Sequence, residues 1–253
     1  MNAKKIELVR QMLAKAESTT PEEAEALTEA AMKIMTRLGI DQAMLDASKP
    51  SDQREDIVCR IVYMNGIYAR ALVQMATYVS QGFGTTRLLV TQDVRIPRSA
   101  DPALAGKMAD KLWVYGFESD ADALATLLES LKLQVMTAVR AHFRSLPEYE
   151  RRYMTEMEAY KVRREFIMGF GAGVKRKIVE GRRTVVKEQG FKGTDLVLAD
   201  RGNIVRSWVD ENQNSRPLRG GMSAGSGYGG FSEGVAAGRN ASLTTQRSLP
   251  KEK

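Results

Sequence analysis

The stretch GFGAGVKRK, residues 169–177, decides how the chain is read, because its glycines admit two incompatible structures. A phosphate-binding loop requires a glycine-rich turn after a strand, opening a helix whose first amides face the phosphate. Here the preceding REFIM, residues 164–168, reads as helix, GK[ST] is absent, and the spacing is G-x-G-x-G. Gly169, Gly171 and Gly173 therefore mark close helix–helix packing or a kink, inside a helical region from Glu148 to about Glu188.

At about 100° per residue, Lys161, Arg164, Lys175, Arg176, Arg182 and Arg183 fall within about 120° of one another. Tyr160, Ile167, Phe170, Val174 and Ile178 gather on another face, which is the expected core side. Such a cationic face suits phosphate groups, and equally a solvated helix. Downstream, SRPLRGGMSAGSGYGGF places Arg216 and Arg219 with Tyr228 and Phe231 in a Gly-rich loop. Arginine with aromatics in a flexible segment pairs with phosphates and stacks on bases. GFSEGVAAGRNASL then predicts a brief final helix.

Upstream, DIVCRIVYM, RLLVTQ and KLWVYGFE read as three strands, with a helix from about Asn65 to Gln81 after the first. DVRIPRSADPALAGK reads as a long loop. Ser119 is the expected cap of a helix whose core face is Leu124, Leu127, Leu128, Leu131 and Val135. Asp120 and Asp122 lie in its first turn, where negative charge suits the helix dipole. DLVLAD is the candidate fourth strand, followed by a short helix GNIVRSWVDENQ. Trp113 and Trp208 are assigned to ordered packing.

The chain opens with a helical hairpin. Its first helix, about Lys4 to Glu17, shows Ile6, Val9, Met12 and Leu13 on one face. Its second, Pro21 to Leu38, begins with a capping box made by Thr20 and Glu23 and ends at Gly39. The polar KPSDQRED follows as a linker. These readings divide the chain into a hairpin module (1–50), an α+β main domain (56–213), and a Gly-rich loop with a short C-terminal helix (214–253). The expected fold class is α+β, helix-rich around a small mixed β-sheet.

Composition narrows the chemistry. The chain has 253 residues and a formal net charge of +7. Residues 147–253 hold 20 Lys/Arg against 13 Asp/Glu, so the surplus sits in the last third. A polyanion is the partner that such a surplus favours. A single cysteine, Cys59, excludes an internal disulfide and any cysteine-based zinc site. His142, the only histidine, is read as a helix-end residue contacting C-terminal carbonyls. No cofactor and no metal are expected, and no apolar run reaches the roughly 18 residues of a membrane span. The cytoplasm of a bacterial host is the expected location.

KKIELVRQMLAKAESTTPEEAEALTEAAMKIMTRLGID resembles the N-terminal module known as domain of unknown function 2786. VYGFESDADALATLLESL, RREFIMGFGAGVKRKI and GYGGFSEGVAAGRNASL resemble the companion domain found behind it, over residues 56–243. The resemblance implies a bacterial or bacteriophage origin and assigns no functional residue. The functional expectation is a non-enzymatic accessory protein of phage or mobile-element type. It binds nucleic acid, DNA or RNA, through the six cations of the helix face, with Arg216 and Arg219 in support. Two alternatives stand beside it: an enzyme-like fold using carboxylates such as Glu118, Asp120 and Asp122, and an adaptor that binds a host or phage protein through residues 1–50.

Overall fold

Alternation along the strands sets the architecture. The computed structural model describes residues 55–189, 194–213 and 230–241, together with Ala30, Ala43 and Ser48. The expected Thr20 capping box and the Gly-rich run 214–229 lie outside the described residues. Strand β1 (Ile57–Asn65) sends Val62 and Met64 into the core. Strands β2 (Thr86–Arg95) and β3 (Met108–Phe117) complete a three-stranded sheet of order β1-β3-β2. Ile61 pairs with Trp113, and Trp113 with Leu89, both in antiparallel register. The mixed sheet expected from the sequence is thus antiparallel throughout. β1 and β2 do run in the same direction, joined by helix α1 (Ala69–Phe83), but β3 inserts between them.

β2 carries an irregularity between Thr91 and Val94, where Asp93 adopts a left-handed φ of 53°. Aspartate tolerates that conformation better than most residues. The Asp93 amide donates to Oδ1 of the buried Asp110 at 3.2 Å, and Arg70 donates to both Asp110 oxygens at 3.0 Å.

One sheet face meets α1 and helix α2 (Glu118–Ser145). Leu124, Leu128, Leu131 and Val135 of α2 are wholly buried, as its apolar period predicts. Burial of each such side chain contributes about 1.5–3 kcal/mol. α2 begins at Glu118 without a side-chain cap, so Ser119 does not fill the role expected of it. Its hydroxyl donates instead to Glu55 Oε2 at 2.7 Å.

The helical region after Pro147 is two helices, α3 (Glu148–Tyr153) and α4 (Glu156–Gln189). The break has a local cause. Thr155 Oγ1 accepts from the Glu158 amide at 3.2 Å, and Glu158 Oε2 accepts from the Thr155 amide at 2.8 Å. That reciprocal pair is a capping box and starts α4 afresh.

α4 is the centre of the fold. From Glu165 to Gly171 every residue is buried, so all sides of the helix are covered over two turns. Helix α6 (Gly230–Arg239) runs beside it in parallel. A Cβ on Gly230, Gly234 or Gly238 would collide with the carbonyl oxygen of Val162, Phe166 or Phe170 in turn. Reciprocally, a Cβ on Gly169 or Gly173 would overlap the carbonyls of Phe231 and Val235. Gly171 faces the opposite neighbour, where its Cβ would lie 2.7 Å from the Met75 Cα of α1. The close packing read from GFGAG is therefore present on two sides of one helix.

The other sheet face is covered by α5 (Thr194–Asn212), whose Val205 and Val209 pack on Tyr115 and Phe117. The expected strand DLVLAD is the first part of this helix. Leu198, Arg201, Val205 and Val209 recur at helical spacing, and this face overrides the β preference of LVL. Gly202 lets α5 cross directly over the carbonyl of Gly84. Arg201 anchors the crossing from a site only 5% exposed. It meets Asp120 at 2.7 Å and Glu55 at 2.5 Å, with its guanidinium 3.9 Å above the Phe117 ring.

Candidate nucleic-acid interface

The six helix cations expected to act together all lie on α4, and the structure gives them different surroundings. Arg176 and Arg183 are exposed and have no ion-pair partner among the described residues. Lys161 is half-buried and likewise unpaired among the described residues. Arg164 is half-buried, with its Nε enclosed and lacking a hydrogen-bond partner among the described residues. Lys175 donates to Gln81 Oε1 at 2.8 Å, and Arg182 donates to the Phe83 carbonyl, so both latch α4 to the end of α1. Arg216 and Arg219 lie outside the described residues.

The cationic arc is also interrupted. By helical position Glu165 and Met168 belong to the same arc, yet both are buried. Lys161 and Arg164 are thus parted from the other four by a packed waist about 16 Å long, at 1.5 Å of rise per residue. The free charge on the second half is that of Arg176 and Arg183. Held on a helix anchored by glycine contacts below and by Lys175 and Arg182 beside them, these two guanidinium groups are fixed at their bases and free at their tips.

A second group of cations escaped the helical-wheel reading. Arg140 and Arg144, at i and i+4 on α2, and Arg163 on α4 line one cleft. None of the three has a carboxylate partner among the described residues. Arg163 falls between Phe170 and Val174 on the wheel, on the side assigned to the core. It sits beyond the packed waist, where its guanidinium covers the Phe143 ring at 3.7 Å. The AVRAHFR spacing of Arg140 and Arg144, on the face opposite the leucines, was the available signal.

The acids of the enzyme-like alternative are each held by an arginine. Arg60 pairs with Asp122 at 2.5 Å and with Glu118 at 3.5 Å, while Asp120 belongs to Arg201. Burial pushes the Asp120 carboxyl above its usual range, outweighing the pull of Arg201 and a hydrogen bond with Thr85. Burial also opposes charge on Arg201, but Asp120 and Glu55 hold its pKa above the ordinary arginine value. Among the described residues no group of three His, Cys, Asp or Glu side chains is placed to hold a metal ion.

His142 does not bond the α2 carbonyls as expected. It stacks on Phe166 with ring centroids 4.8 Å apart, and burial lowers its pKa. Trp113 packs on the outer sheet face, donating to Thr91 Oγ1 at 3.0 Å, and Trp208 tilts against Tyr115. Among the described residues no helix is long and apolar enough to cross a membrane.

No curated protein and no solved structure matches the chain. Residues 4–42 match one family model, described as a protein of unknown function (DUF2786), in agreement with the resemblance carried by the hairpin sequence.

Proposed function

We propose that this is a non-enzymatic accessory protein of phage or mobile-element type that binds nucleic acid in the cytoplasm of a bacterial host. In this reading residues 56–243 form the companion domain of the N-terminal hairpin, and the contacts are electrostatic. The observation that carries the proposal is the pair of exposed arginines, Arg176 and Arg183, unpaired among the described residues and about two turns apart on a firmly held helix. Lys161 extends the contact at the far side of the waist, and Arg216 and Arg219 are the reserve. Lys175 and Arg182 act by positioning α4.

Phosphate contacts of this kind are sequence-independent and weaken steeply with salt. Each phosphate neutralised contributes a slope of about −0.9 in log K against log salt on duplex DNA. Replacing Lys161, Arg176 and Arg183 by Gln keeps most of each stem in place. The triple variant is expected to fold normally, bind all sequences less tightly, and give a slope shallower by about 2–3. Fluorescence anisotropy with labelled single- and double-stranded DNA and RNA over a salt series measures this. Absence of binding by the wild type at low salt would overturn the function. Unchanged binding by the variant would move the contact to Arg216 and Arg219.

A further inference from the structure

We propose that the cleft between the β1–α1 turn, the C-terminal half of α2 and the first turns of α4 binds a soluble amphiphilic anion: one apolar chain or ring system ending in a carboxylate, sulfate or phosphate. Its volume is about 630 Å³, inside the range of about 300–1,000 Å³ typical of small-molecule sites. The floor is apolar. Leu72 and Val139 are 4% and 1% exposed, and Met136 and the Phe143 ring continue that surface. Around it stand Arg140, Arg144 and Arg163, and the lining contains no acid.

Lys132 also reaches the cleft but is committed, donating to the Tyr63 carbonyl at 2.9 Å and pairing with Glu129 at 2.6 Å. The three arginines carry no such commitment among the described residues. Unpaired guanidinium groups around an apolar cleft form a charge-assisted anion site over a hydrophobic one. The match is to a ligand with both characters.

Other occupants fit less well. A nucleotide base needs donors and acceptors for its edges, and the lining's uncharged polar side chains are those of Asn65 and Tyr68 alone. The Phe143 ring is already covered on one side by Arg163. A monomeric ligand matches a cleft of this volume, and a bilayer surface is the competing occupant that titration with vesicles distinguishes.

The site lies near Arg163, about 20 Å along α4 from Arg176. Lys161, two residues from Arg163, points to nearly the opposite side of the helix and is not in the lining. The cleft is thus separable from the proposed phosphate contacts. Calorimetric titration of the full chain with octyl, decyl and dodecyl phosphate, each kept monomeric, tests it. One ligand per protein is expected, with affinity rising about three- to fourfold per methylene until the chain outgrows the cleft. Decyl maltoside, of equal chain length and no charge, is expected to bind at least tenfold more weakly. The variant R140Q/R144Q/R163Q should lose at least tenfold for decyl phosphate with an unchanged circular dichroism spectrum. The variant L133E, an exposed lip residue made acidic, should lose affinity in the same direction.

Equal affinity for the charged and uncharged amphiphiles, or full binding by the arginine variant, would overturn the proposal. So would binding of phosphatidylglycerol vesicles without binding of the monomers, or tighter binding of adenosine monophosphate than of decyl phosphate. The variant lacking Lys161, Arg176 and Arg183 should bind decyl phosphate normally, whatever happens to nucleic acid.

Discussion

Two helices are fastened to the body of this protein by opposite means. α6 lies against α4 through glycines that let backbone touch backbone, with Gly234 and Gly238 seated on the carbonyls of Phe166 and Phe170. α5 lies against the sheet through two valines and one arginine held between two carboxylates. The first contact depends chiefly on shape, with the exposed Arg239–Glu180 pair at its edge, and a methyl group is enough to break it. The second depends on charge, and on a guanidinium whose removal leaves two acids without their cation. The difference teaches that one fold can combine a dock set by the absence of side chains with one set by a buried ion pair.

The sharpest way to break the comparison is at the glycines. Gly238→Val sets a branched side chain against the Phe170 backbone, and the helices must separate. A loss at or above about 3 kcal/mol is expected, the upper end of overpacking effects, measured by urea denaturation. A loss under about 1 kcal/mol would mean that α6 shifts without cost and is not a fixed part of the core.

Arg201→Met comes next. Breaking a fully buried ion pair costs about 3–5 kcal/mol, but Glu55 and Asp120 side chains each keep 19% of their surface exposed. A smaller loss of about 1–3 kcal/mol is expected once solvent screening is counted. Hydrogen exchange should quicken along α5 while α6 stays protected. Equal quickening in both helices would show that the two docks are not independent.

The smallest effect is a pH dependence carried by His142, the only histidine. Burial against Phe166 lowers its folded pKa from the ordinary value of 6.5. The unfolded chain therefore binds the proton first. Stability is complete above about pH 6.5 and falls as the pH drops from there toward the lowered folded value. His142→Phe keeps the stacked ring and should flatten the profile between pH 7 and 5 in thermal melts. A wild-type profile already flat in that window would assign the histidine a fully solvated ring.

The glycine dock was legible in the sequence because absence of a side chain at 169 and 173 has few other uses in a helix. The α2 core was legible from its leucine period. The α5 dock was not. LVL favours a strand locally, and the segment turns its helical face inward through distant partners: Tyr115 and Phe117 under Val205 and Val209, and Glu55 and Asp120 around Arg201. T-E-M-E at 155–158 was readable as a capping box by the rule that identifies Thr20 and Glu23, and it places the break between α3 and α4. Of the cationic site, residue types and the helix were readable. Which cations stay free was not, because Gln81 and the Phe83 carbonyl come from α1, close to a hundred residues away in the chain. Arg163 was hidden for a related reason: a wheel assumes one environment along its whole length, and α4 passes through three.

The order β1-β3-β2 leaves two strands with an outer row of backbone donors and acceptors that no other described strand pairs. Such rows invite a second copy to add its own strand, sheet to sheet. β2 is guarded by its own irregularity. The left-handed turn at Asp93 breaks the flat run between Thr91 and Val94, and Arg87 and Arg95 stand on either side of it. β1 has Arg60 drawn across to Asp122 and Glu118. The kink in β2 thus interrupts the flat row of donors and acceptors that edge-to-edge pairing requires, and straightening it would lengthen the row on which a second copy could build.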